Sequence, residues 1–275
     1  MTIVIPSPPA RGYTGNRPML KHRAYKSAEA RMPQAKKTVS GGLPFTKEPG
    51  SWVMFAVAFF TGAAVSGFTP RAVLVFAALA LVLMAKAPLP GYLRKREKGA
   101  LGGLLPYLLP GLGILSWSVW MNPPLAFLYL AGGLLFALYY YLGKRKKLPL
   151  IYSEAAGMAI MGLAAVIGAS LAGDMAPWIY LWPMFFVFYF ASSFRVRLFS
   201  KDRKYRLMGV IYSGAVLLSS AALALKGHLI FISFLPLVED LYSSLRPRKE
   251  KFRAIGLKEA VKAVIFAAIL IAVSV

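Results

Sequence analysis

Charged side chains set inside long apolar runs are the part of this sequence able to do chemistry. They are Lys86, Glu154, Glu239, Asp240, Lys258, Glu259 and Lys262. A charge at membrane depth costs about 2.5 kcal/mol or more, so each marks either a functional group or a side chain reaching for the interface. Glu259 precedes Lys262 by three residues, a spacing that puts the two on one helical face. Glu239 and Asp240 can pair with Arg246 or Arg248 on the following turns, and the stems of Lys86 and Lys258 are long enough to snorkel. Glu154 has no basic residue at helical spacing and needs a partner from another helix, or a carboxyl that keeps its proton.

The elements carrying these residues follow from composition. The chain has 275 residues, 58% of them hydrophobic, with a formal net charge of +23 from 33 Lys and Arg against 10 Asp and Glu. Ordinary soluble domains are roughly 45–50% apolar. The two figures are compatible when the charges lie between long apolar segments and those segments lie in lipid. The absence of Cys excludes a disulfide scaffold and a thiolate metal site, and two His leave little for a His-rich metal or haem centre.

Apolar runs long enough to cross a bilayer cover 51–68, 71–89, 100–121, 125–143, 148–171, 176–194, 207–225, 228–245 and 256–275. They lack the alternation of barrel strands, which predicts an all-α polytopic membrane protein with nine transmembrane helices. The loops after the second, fourth, sixth and eighth runs hold well over half of the basic residues, and the loops of opposite parity hold only Arg71 and Lys226. The positive-inside rule therefore places the N-terminus in the cytoplasm and the C-terminus outside, in a multi-pass protein of a bacterial-type cytoplasmic membrane. The +23 is thereby accounted for without nucleic acid.

Residues 1–43 form a basic tail with a single acid, Glu29, and five prolines; residues 44–275 form the transmembrane domain. The tail has no apolar core of signal-peptide length and reads as disordered chain attracted to anionic lipid, with Met32 an alternative start. Gly102, Gly103, Pro106, Pro110, Gly111 and Gly113 predict a kinked or broken third helix, or one that packs closely on its neighbours. The aromatic-rich sixth run fits a lipid-lining wall, and its Trp residues fit an interface belt.

Three short motifs carry a family resemblance. Lys47-Glu48-Pro49-Gly50-Ser51-Trp52 opens the first helix, with Pro49 suited to a first turn, Glu48 facing the positive end of the helix dipole and Trp52 at the interface. This stretch resembles the Lys-Glu-His-Gly-Ala-Trp signature of the YwiC-like family of bacterial membrane proteins. Ser193-Phe194-Arg195-Val196-Arg197 looks like that family's basic motif closing the sixth helix, and Ile255-Gly256-Leu257-Lys258-Glu259 like its Ile-Gly-x-x-Glu entry to the last. Pro49 and Ser51 depart from the His and Ala of the signature. The nine-helix topology is also similar to that of UbiA-type prenyltransferases, which hold Mg²⁺ and a prenyl diphosphate on Asp-rich motifs after their second and sixth helices. The corresponding stretches here, 86–98 and 189–206, contain only Glu97 and Asp202 as acids. The resemblance thus implies a UbiA-like bundle without its metal chemistry: no metal and no cofactor are expected, and enzymatic activity stays open.

Lys86, Glu154, Glu239, Asp240, Lys258, Glu259 and Lys262 all fall in the cytoplasmic half of their helices. This predicts a cytoplasm-facing polar cavity walled by the second, fifth, sixth, eighth and ninth helices. Its candidate ligand-binding residues are Lys47, Glu48, Trp52, Lys86, Arg94, Glu154, Arg195, Arg197, Glu239, Asp240 and Glu259. Arg94, Arg195 and Arg197 suit direct contact with phosphate. The expected ligand is an amphipathic isoprenoid, quinone-like or phosphate-bearing anionic lipid; a small-solute transporter and an accessory membrane subunit are the competing readings.

Overall fold

The computed structural model describes residues 49–85, 98–144, 150–198, 203–246 and 252–274, all within the unit Pro44–Val275. The basic tail, Lys47, Glu48, Lys86, Arg94, Glu97 and Asp202 lie outside the described residues. Among the described residues there are nine α-helices and no strand. They are α1 Pro49–Ser66, α2 Pro70–Met84, α3 Lys98–Met121, α4 Leu125–Lys144, α5 Leu150–Ser170, α6 Leu181–Leu198, α7 Arg203–Leu225, α8 Leu237–Leu245 and α9 Phe252–Ser274. A 3-10 turn, Ala176–Trp178, precedes α6, and a longer 3-10 helix, Leu229–Phe234, precedes α8.

Helix ends follow local chemistry. α1 ends at Gly67, whose φ of +98° only glycine takes up cheaply. Thr69 is extended because it precedes Pro70, which opens α2 with its ring at the first turn. Gly227, at φ +94°, closes the turn after α7 in the same way. The Asn122-Pro123-Pro124 turn joins α3 to α4, and Asn122 Nδ2 donates to the Ser170 carbonyl at 2.6 Å, tying that turn to the end of α5.

Among the described residues, four helices are long and apolar enough to cross a membrane: Gly102–Met121, Leu125–Lys144, Ile151–Ser170 and Tyr205–Leu225. Gly50–Ser66 and Pro70–Met84 are apolar but shorter. The others fall short for visible reasons. α6 ends with Arg195 and Arg197, α8 has nine residues, and α9 carries Arg253, Lys258, Glu259 and Lys262. Large apolar side chains such as Leu109, Leu130, Leu134 and Leu218 stand exposed along α3, α4 and α7, as a lipid-facing surface requires. Of the two readings of the third run, close packing is the one present: α3 is one α-helix through Pro106 and Pro110, and a Cβ added at Gly111 would meet Val82 Cγ2 at 3.0 Å and the Ala78 carbonyl oxygen at 3.1 Å. The discontinuous segment is the eighth, where 3-10 geometry gives way to α8 at Leu235-Pro236.

α5 lies at the centre, against α1, α4 and α6. Its contact with α1 is built on small residues: a Cβ added at Gly62 would come within 1.8 Å of the Ala165 carbonyl oxygen, and one at Gly168 within 2.1 Å of that of Phe59. Close backbone approach of this kind holds helices together where lipid removes the hydrophobic incentive. Three aromatic residues of α6 are core, while Trp182 in its first turn stays exposed. Phe185, Phe188 and Tyr189 are fully buried, Phe188 stacks on Phe266 of α9 at 4.2 Å, and Tyr189 donates to the Met54 carbonyl at 2.7 Å.

Gly168→Ala should therefore lower stability by about 1–3 kcal/mol, since backbone atoms must move apart. Gly133→Ala, where a Cβ meets nothing within 4 Å, should be neutral or slightly stabilising. Thermal unfolding of the two variants in detergent checks the contrast; equal effects would mean that the α1–α5 contact is not close-packed.

Candidate functional site

Four of the expected residues, Arg195, Glu239, Asp240 and Glu259, come together where α6, α8 and α9 meet, without the second and fifth helices that the sequence reading also placed around them. Ser192 and Arg195 come from the last turns of α6, Glu239 and Asp240 from the first turn of α8, and Glu259 and Lys262 from the first half of α9. Ser192 and Arg195 are three apart, so both point across the same helical face, as do Glu259 and Lys262.

Arg195 is the hub, with 2% of its side chain exposed. Its Nη2 donates to Glu239 Oε1 at 2.7 Å and its Nη1 bonds Glu239 Oε2, a two-point fork that only a planar guanidinium makes. Nη1 also donates to Glu259 Oε1 at 3.1 Å and stands 3.6 Å from Asp240 Oδ1. Lys262 Nζ is the second cation. It bonds Asp240 Oδ1, lies 2.7 Å from Glu259 Oε1 and 3.7 Å from Glu239 Oε2. Ser192 Oγ donates to Glu259 Oε2 at 2.5 Å. The local pairing expected between Glu259 and Lys262 is present; Glu239 and Asp240 reach Arg195 and Lys262 on other helices, while Arg246 lies over the Tyr242 ring.

Glu239, Asp240 and Glu259 each bring a carboxylate oxygen within 4.8 Å of the others, the spacing of a metal-binding triad. Lys262 Nζ already stands against all three, so an ammonium on α9 fills the position that a cation would take. A divalent ion would share that space with two positive groups.

Burial is uneven. Side-chain exposure is 3% for Asp240, 8% for Glu259 and 7% for Lys262, but 37% for Glu239. Glu239 is the point where the network opens. Leu235 and Tyr242, four residues before it and three after, are exposed, as are Lys258, Val261 and Ile265 on α9. α8 packs chiefly on α7 and α6, and α9 on α1 and the 3-10 helix, so the two helices are joined mainly by these long side chains. From α7, Arg206 donates to the carbonyls of Ser244, at 2.9 Å, and of Leu245, holding the free end of α8.

Of the other expected residues, Trp52 stands in the first turn of α1 with its ring 6.5 Å from that of Phe55. Glu154 lies half-buried near the start of α5, with interactions of its own. Arg197 lies in the last turn of α6. Ser192 and Lys262 were not among the expected ligand-binding residues. Their helical spacing to Arg195 and Glu259 is the signal that could have included them.

Removing Arg195 leaves carboxylates buried with too little positive charge. Arg195→Leu should cost about 3–5 kcal/mol of stability, and Glu239→Gln, half-exposed and still able to hydrogen-bond, about 1 kcal/mol or less. Thermal unfolding of both variants tests this, and equal losses would show that Arg195 depends on Glu239 alone.

No curated protein and no solved structure matches the chain. Residues 45–168 match the family model described as YwiC-like protein; from the entry to α1 to the last turns of α5, the chain carries the pattern of the YwiC-like family.

Proposed function

We propose that this is a nine-span membrane protein of UbiA-like topology, N-terminus in the cytoplasm, whose cytoplasm-facing charge network binds, at the half-open Glu239, the polar head of an amphipathic lipid. The alternation of basic loops supports the topology. So does the meeting of three antiparallel-related segments: the end of α6, the α8 end of the eighth segment and the start of α9 share one side, as odd and even spans require. The eighth segment is long enough despite its break. Six 3-10 residues at about 2.0 Å and nine α residues at about 1.5 Å give roughly 25 Å, near the bilayer core of about 30 Å.

The observation that carries the ligand reading is the half-open carboxylate of Glu239 between exposed Leu235 and Tyr242. A head that donates hydrogen bonds fits there, with its apolar tail along Leu235, Val261 and Ile265. Arg195 is engaged by three carboxylates, which favours a hydroxyl-bearing head, such as the quinol form of a quinone-like lipid, over a phosphate. In a phosphate-bearing lipid the exposed cation at the mouth is Lys258. The discontinuous eighth segment favours a second reading, a small-solute transporter, because broken helices line the central sites of many transporters.

The chain has no Cys, so single-cysteine reporters need no background changes. Gly173→Cys and Lys226→Cys should react with an impermeant maleimide in intact cells, and Arg246→Cys only after permeabilisation. Labelling of Arg246→Cys from outside would remove the eighth span. Native mass spectrometry with lipidomics of the purified full chain should show an isoprenoid or quinone-like lipid retained by the wild type. In Glu239→Ala that retention should fall by about tenfold or more, the weight of a hydrogen bond to a charged group. Leu109→Ala, on the far apolar surface, should retain it. The same bulk lipid on all forms would refute the reading, and a retained phospholipid would redirect it to Lys258.

A further inference from the structure

The network is unevenly supplied with positive charge. Glu239 takes the Arg195 fork with both of its oxygens, and the same Nη1 of Arg195 also donates to Glu259 at 3.1 Å. Lys262 then serves the two buried carboxylates, Asp240 through Oδ1 and Glu259 through Oε1. The second oxygen of Glu259 accepts from Ser192. The second oxygen of Asp240, Oδ2, is buried and has no hydrogen-bond partner among the described residues.

Among the described residues the other charged groups are engaged elsewhere. On α8 itself Glu239 adds negative charge; on α9 Lys258 is exposed and acts on Glu239 at the rim. On α7, Arg206 is bonded to the carbonyls of Ser244 and Leu245, and the Tyr212 hydroxyl to that of Val187. Arg195, on α6, stands 3.6 Å from Asp240 on the Oδ1 side. A buried, unmatched carboxylate oxygen costs far more than a buried hydroxyl. A metal ion would need several oxygen ligands where Oδ2 offers one. A proton needs one.

We propose that Asp240 is a proton-binding site: Oδ2 carries an exchangeable proton that neutralises the excess carboxylate of the Arg195–Lys262 network, taken up from water through the half-open Glu239. The protonated form leaves Arg195 and Lys262 against Glu239 and Glu259, two cations against two carboxylates. This site stands independently of the lipid reading.

Infrared spectroscopy of the full-length protein in lipid nanodiscs tests the proposal. A carbonyl-stretch band of a protonated carboxylic acid should be present between about pH 7.5 and about pH 6, where exposed carboxyls are ionised. It should shift when aspartate labelled with carbon-13 at the side-chain carboxyl is incorporated, including in a chain with Asp174→Asn and Asp202→Asn, which leaves Asp240 as the sole aspartate. Asp240→Asn should abolish the band. Glu239→Gln should keep it and slow its exchange into deuterated water. The labelled wild-type measurement decides the matter even if Asp240→Asn does not fold. No band down to about pH 6, or a band unmoved by the aspartate label, overturns the proposal.

Discussion

The C-terminal half of this protein depends on a guanidinium that cannot face lipid. Arg195 sits in the final turns of an otherwise apolar helix and is 2% exposed, so its charge must be met inside the bundle. A buried cation without carboxylates is far more costly than one with them. Meeting it requires α8 and α9 to present acids at the same depth, and they do so from the first turn of one and the first half of the other. Lys262 then answers the acids that Arg195 leaves over.

The N-terminal half is held by different physics. α1 and α5 approach until glycine is the only residue with room, at Gly62 and Gly168, and α5 passes that fixed position on to α4 and α6. The aromatic face of α6 closes on Phe266 of α9. The polar network is thus hung from a tightly packed apolar frame, and its only accessible carboxylate is on the segment with the least regular helix. Residues 45–168, where the chain matches the YwiC-like family, contain the α1–α5 contact. The network lies in the helices that follow.

These features bear jointly on function. A carboxylate-rich network, open at Glu239 and flanked by exposed apolar side chains, suits a ligand that is polar at one end and apolar at the other. The carboxylate that is left over suits a proton. A bare anion is the poorest fit, because the arginine that would hold it is engaged by Glu239 and Glu259 and stands beside Asp240.

Hydrophobic runs and the alternation of basic loops were enough to predict an all-helical membrane protein and to locate helices near their observed ends, because burial in lipid imposes a length and a composition that can be counted. The same residues also announced the site: charges within apolar runs are rare for energetic reasons, and Arg195, Glu239, Asp240 and Glu259 could be picked out one by one. Their partners could not. Helical spacing pairs Glu259 with Lys262, but the same local logic sends Glu239 and Asp240 to Arg246 or Arg248. Tertiary packing sends them to Arg195 and Lys262, residues up to 44 positions away. Packing also put the helical break in the eighth segment, since Pro106 and Pro110 could be absorbed in α3 while Leu229–Phe234 wound as a 3-10 helix. Composition is a property of each residue alone; the pairing of charges depends on which helix faces come together, and that is decided by side-chain volume at contacts such as Gly62 and Gly168.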